Sequence, residues 1–137
     1  MRAALVAVLL LAGCHRSASS RAELIDRNWL DVWPTSDRDH LHVYRFTPAM
    51  GGGVFQDRTL YKGTFELFRF DAKADEIVFD LLETHEHVRS HYTIESVDGP
   101  KPFDRKLTID HDPRGPGVYF TSKDAAVVDA RLAALPH

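Results

Sequence analysis

From Trp29 onward, apolar and polar residues alternate in short runs, and almost every run ends at Pro, Gly or Asp. Ile77, Phe79 and Leu81 fall on one face of such a run, with Glu76 and Asp80 on the other. Val88, Tyr92 and Ile94 oppose His87, Arg89, His91, Thr93 and Glu95; Leu107 and Ile109 oppose Lys106, Thr108 and Asp110. A period of two with one polar face marks antiparallel sheet with one side buried. The pattern predicts strands near 28–33, 40–47, 53–58, 61–70, 75–82, 86–97, 103–111 and 117–122. The breaks between them carry residues suited to turn dihedrals, as in Asp98-Gly99-Pro100 and Asp112-Pro113-Arg114-Gly115-Pro116. Phe65, Leu67, Phe68 and Phe70 are apolar on both faces of one run, which predicts a bulge or burial on two sides.

Two segments read as helices. Ser20 with Glu23 three positions later has capping-box spacing, predicting a brief helix over 21–27. Near the other end Ser122 can cap a helix whose stripe is Ala125, Val128, Leu132 and Leu135, and that stripe is expected to pack on the sheet. The fold class that follows is mainly β: an antiparallel up-and-down β-barrel of about eight strands, with short N-terminal and C-terminal helices. A two-sheet sandwich of the same strands satisfies the pattern equally well.

The N-terminus has a different organisation. Arg2 precedes an apolar run over 3–12, much shorter than the roughly 20 residues of a membrane span. The run ends in Leu11-Ala12-Gly13-Cys14, and Cys14 is the sole cysteine. This ending resembles the lipobox of bacterial lipoproteins. The resemblance implies cleavage before Cys14, which becomes the mature N-terminus, thioether linkage of its sulfur to diacylglycerol, and attachment to the membrane through that residue. It divides the chain into a signal peptide (1–13), a tether (14–20) and a domain (21–137). Cys14 is followed directly by His15-Arg16-Ser17, with no acid among them, so the resemblance points to the outer membrane, facing the periplasm. Acylation would consume the one thiol and with it every disulfide, thiolate-metal or cysteine-nucleophile chemistry.

Charge narrows the partners. The full chain carries a formal charge of −3, and loss of residues 1–13 removes one arginine and no acid, giving −4. A mildly acidic surface excludes nucleic acid as the expected partner and offers no polybasic patch for anionic lipid. The 124 residues from Cys14 onward suit one domain with a single core.

The order of a short helix, a Trp-bearing first strand (Asn28-Trp29-Leu30), a meander and a C-terminal helix resembles the lipocalin and calycin barrels. So does the layout from Tyr61-Lys62-Gly63-Thr64-Phe65 to the turn at 112–116. The resemblance implies that Trp29 closes one barrel end and that a small apolar molecule occupies the lumen.

Histidine is the residue type with the most chemistry to offer: there are eight. His40 and His42 share a strand face, roughly 7 Å apart at the backbone, within reach of one Zn²⁺. His85, His87 and His91 share another if their segment is continuously extended, and Glu83 or Glu95 could complete a site. The competing reading places these histidines on a solvated polar face. The carboxylates Asp71, Asp75, Asp80, Glu83, Asp110 and Asp112 sit at turns or on polar faces, where solvation explains them. Gly51-Gly52-Gly53 has no helix after it and reads as a mobile hairpin tip, a candidate lid at a barrel mouth, rather than a phosphate cradle. No Gly-x-Ser-x-Gly elbow occurs. If a cavity exists, Tyr44, Phe46 and Tyr92 offer it an apolar wall with hydroxyl handles.

Three functions follow in order. The first is a lipid-anchored, non-enzymatic barrel, free of cofactors, binding a small hydrophobic or amphipathic ligand. The second is a filled-core module that docks or inhibits another envelope protein. The third is histidine-based metal binding. A lumen of roughly 300 Å³, an exposed apolar patch and three converging His or acidic side chains are their respective signatures.

Overall fold

The computed structural model describes residues 15–134, with side chains from Ser20 onward. Cys14 and the signal segment lie outside the described residues, as does Leu135. Helix α1 (His15–Leu24) leads into eight strands: β1 (Asn28–Leu30), β2 (Leu41–Thr47), β3 (Gly52–Arg58), β4 (Gly63–Ala72), β5 (Glu76–Leu81), β6 (Glu86–Ser96), β7 (Arg105–Ile109) and β8 (Val118–Thr121). Helix α2 (Ala125–Ala133) follows. Each strand pairs antiparallel with the next, and β8 returns to β1 through Leu30 and Phe120, closing the barrel. Closure leaves no free sheet edge and settles barrel over sandwich. Among the described residues no helix is long and apolar enough to cross a membrane.

The helices differ in detail from their sequence signals. α1 already begins at His15, within the segment expected to be a tether, so Ser20 lies inside the helix and does not cap it. It stops at Leu24 because the chain is drawn into the barrel. Ile25 bridges to Phe46, and Asp26, at φ 57°, donates its N–H to the Phe46 carbonyl at 2.8 Å. At the other end Asp124, not Ser122, caps α2, accepting from the Ala126 N–H at 3.1 Å. Ser122 is buried immediately after β8.

Alternation sorts each strand into lumen and outer wall. Trp29, Tyr44, Phe46, Phe68, Phe79 and Tyr119 fill the lumen, with Leu24 of α1 closing the base beneath them. The Trp29 indole donates to the Leu24 carbonyl at 2.9 Å, fastening helix to barrel. Ring centroids of Tyr44 lie 4.8–6.0 Å from Phe55, Tyr119, Phe46, Phe68 and Phe79, the spacing of packed aromatic pairs. A second apolar layer lies outside the wall. There Leu30, Leu41, Val43 and Phe103 pack with Val128 and, partly, with Leu132 of α2. The Asn28 amide donates to Asp129 at 3.0 Å and holds that helix in place.

Strand β4 departs from expectation in an informative way. Its register runs without a bulge, from Arg58 opposite Gly63 to Phe70 opposite Phe79. Phe68 and Phe70 point inward, whereas Phe65 and Leu67 point outward and are uncovered. The doubled apolar pattern is a lumen face and an exposed face on one strand.

Candidate functional site

The loops at 31–40, 59–62, 82–85 and 110–117 gather at the barrel mouth, the end opposite α1. His40 ends the first of these loops and His42 is the second residue of β2. Asp57 is the direct cross-strand partner of His42 on β3. The ligand atoms of His40, His42 and Asp57 all lie within 4.8 Å of one another. His40 Nδ1 stands 3.1 Å from Asp57 Oδ1, and His42 Nε2 stands 3.6 Å from Asp57 Oδ2.

Two further groups fix His42. Its ring Nδ1 lies 2.7 Å from Asp31 Oδ2, and its backbone N–H donates to Asp31 Oδ1 at 2.7 Å. Its ring also stacks on Phe55, with centroids 5.7 Å apart. His40 is held less directly, through its neighbour. The Asp39 carboxylate accepts from the backbone N–H and hydroxyl groups of both Thr35 and Ser36, at 2.7–3.1 Å. Those hydrogen bonds, the Thr35 N–H first among them, lower the Asp39 pKa to about 2.

Beside this cluster Asp112 collects four donors: the Tyr44 hydroxyl at 2.8 Å, the Tyr119 hydroxyl at 2.6 Å, and the Arg114 and Gly117 N–H groups at 2.9 Å. Burial, then the Asp112 charge, pushes both tyrosines far above their ordinary range. Arg114 forms an ion pair with Glu66 and lies over the Phe55 ring at 5.8 Å. These bonds tie the turn between β7 and β8 to β2 and β4 at the mouth. The sequence marked Asp112 only as a turn carboxylate; its reach to Tyr44 is set by barrel closure.

Other sequence expectations separate. His85 sits in the β5–β6 turn at φ 58°, so the segment with His87 and His91 is not continuously extended. His87 faces Asp80 at 3.5 Å, and His91 lies exposed on β6. Among the described residues those three do not converge. Glu83 and Glu95 stay outside the His40 cluster, and Glu95 pairs with Lys106 at 3.0 Å. Asp57 takes the place proposed for them, and cross-strand register is the signal that identifies it. Tyr44, Phe46 and Tyr92 are packed core rather than a cavity wall. The three glycines lie at the base, not the mouth. Gly51, at φ 77°, ends a 3-10 turn (Pro48–Met50), and Gly53 lies so close to the Phe68 ring and the Arg45 carbonyl that a side chain has no room.

Among the described residues, the best-formed clefts lie on the outer wall or at the mouth. One of about 200 Å³ is lined by Met50, Gly52, Val54, Leu67 and Leu82. A neighbour of about 320 Å³ shares Val54 and extends past Gln56 to Tyr61 and Phe65. Together they trace one face over β3 and β4, on which Met50 is 84 % exposed, Phe65 67 % and Leu67 53 %. Comparison with known proteins finds no matching family model, curated protein or solved structure.

Proposed function

We propose that this chain is a lipid-anchored, non-enzymatic protein of the bacterial envelope that docks another envelope protein on the outer face of β3 and β4. The observation that carries the reading is the pairing of a packed lumen with an open apolar wall. Large aromatic side chains occupy the space a small ligand would need, which weighs against the lumenal-carrier reading. Phe65 and Leu67, two residues apart, stand uncovered on a face that continues to Met50 and Tyr61. Exposing such side chains to water is unfavourable, by about 25 cal/mol per Å², and contiguous exposed patches of this kind mark interaction surfaces. The lipobox-like Leu11-Ala12-Gly13-Cys14 supports the anchor. It joins the barrel through α1 at the base, leaving the wall of β3 and β4 open to neighbours in the periplasm.

Photo-crosslinking in the native host tests this directly. Benzoylphenylalanine in place of Phe65 should give one discrete protein adduct, and the same probe in place of Glu95 on β6 should not. Adducts to lipid alone, or equal labelling from both positions, would refute the docking face.

A further inference from the structure

We propose that His40, His42 and Asp57 form a binding site for a divalent transition-metal ion, with Zn²⁺ the best match, at the mouth of the barrel. The proposal is independent of the docking face, because it rests on different residues. Two imidazoles and one carboxylate are a ligand set that suits zinc, and three protein ligands leave a fourth position open to water.

The orientation of His42 is the main argument. Asp31 is a carboxylate and accepts, so the 2.7 Å contact places a proton on His42 Nδ1. In the neutral ring Nε2 then carries a lone pair, and it faces a carboxylate oxygen of Asp57 at 3.6 Å. A cation between these two acceptors would satisfy both. A carboxylate behind a ligating histidine is the usual outer partner of a metal site, since it fixes the tautomer and raises the basicity of the ligating nitrogen. Phe55, stacked on the same ring, restricts its rotation. His40 stands 66 % exposed, so its ring can turn to bring a nitrogen to the roughly 2.0–2.1 Å of a Zn–N bond.

Charge points the same way. Asp31 and Asp57 place two carboxylates against the two rings, a pair of charges that one divalent ion matches. Arg114, which lies over the Phe55 ring beside His42, is already engaged with Glu66. A proton is the competing occupant: it would convert His42 to an imidazolium paired to both carboxylates.

Calorimetric titration of the chelator-treated full chain in detergent with ZnCl₂ separates the two. The metal reading predicts one ion per chain with a Kd below about 10 µM. His40→Ala, at an exposed position that leaves the fold intact, should weaken binding at least tenfold. Asp31→Asn should weaken it by roughly 10–100-fold, while His87→Ala should leave it unchanged. Co²⁺ in place of Zn²⁺ should give the visible absorption of a tetrahedral site, lost in His40→Ala. Affinity weaker than about 10 µM, or tight binding that survives His40→Ala and loses no cobalt spectrum, would overturn the proposal.

Discussion

The carboxylate of Asp112, in the turn between β7 and β8, accepts a hydrogen bond at 2.8 Å from the hydroxyl of Tyr44, 68 positions earlier in β2. One side chain thereby ties the last hairpin to the centre of the aromatic lumen and also holds Tyr119. Removing it leaves two hydroxyls and the turn N–H groups without their acceptor. Asp112→Ala should cost about 2–4 kcal/mol of stability, and Tyr119→Phe about 1 kcal/mol. Urea unfolding of the two variants checks the ranking.

The two faces of β4 and its neighbour should respond oppositely to truncation. Phe79, fully buried in the lumen, leaves a cavity that its packed surroundings cannot close, so Phe79→Ala should cost about 3–5 kcal/mol. Phe65→Ser, on the exposed wall, should change stability by about 0.5 kcal/mol or less while abolishing partner adducts at that face. Equal losses from both would contradict the division into lumen and docking wall.

Gly53→Ala tests the close approach of β3 to β4. A Cβ there would meet the Phe68 ring and the Arg45 carbonyl, and the backbone oxygen cannot swing aside. A loss of about 1–3 kcal/mol is expected, whereas a mobile hairpin tip would tolerate the change. Thermal unfolding distinguishes these outcomes.

Alkaline pH should weaken the fold. Burial, assisted by the Asp75 charge and opposed by Arg21, pushes Tyr92 up to about 12. Burial and Asp112 raise Tyr44 and Tyr119 further. A group that holds its proton more tightly when folded contributes in full below its unfolded pKa, about 10 for tyrosine. That contribution is lost as the pH climbs from about 10 through about 12. The urea midpoint should therefore stay level between about pH 8 and 10 and fall above it; a midpoint that rose with pH would contradict the burial of these hydroxyls.

The strand plan was legible because alternation is local: Ile77, Phe79 and Leu81 announce a buried face without knowledge of any partner. What the alternation could not convey was which partner strand lies beside which residue. His40 and His42 were visible as a pair, but Asp57 joins them only through the register of β2 against β3, and Asp31 only through the loop that precedes β2. The same gap explains Phe65 and Leu67. An apolar residue on a strand reads as buried from sequence, and only the closed barrel reveals that among the described residues their side stays open. The first helix ends earlier than its capping signal suggests because Ile25 pairs with Phe46, a tertiary contact.

Native mass spectrometry of the protein extracted from its own host membrane tests most directly the claim that this barrel has a packed lumen and acts through its surface. The predicted spectrum shows a chain beginning at an acylated Cys14, with no stoichiometric small apolar molecule, and a population bound to one envelope protein that Phe65→Ser removes. A retained hydrophobic ligand at one per chain, unaffected by Phe65→Ser, would contradict the account and restore the lumenal carrier.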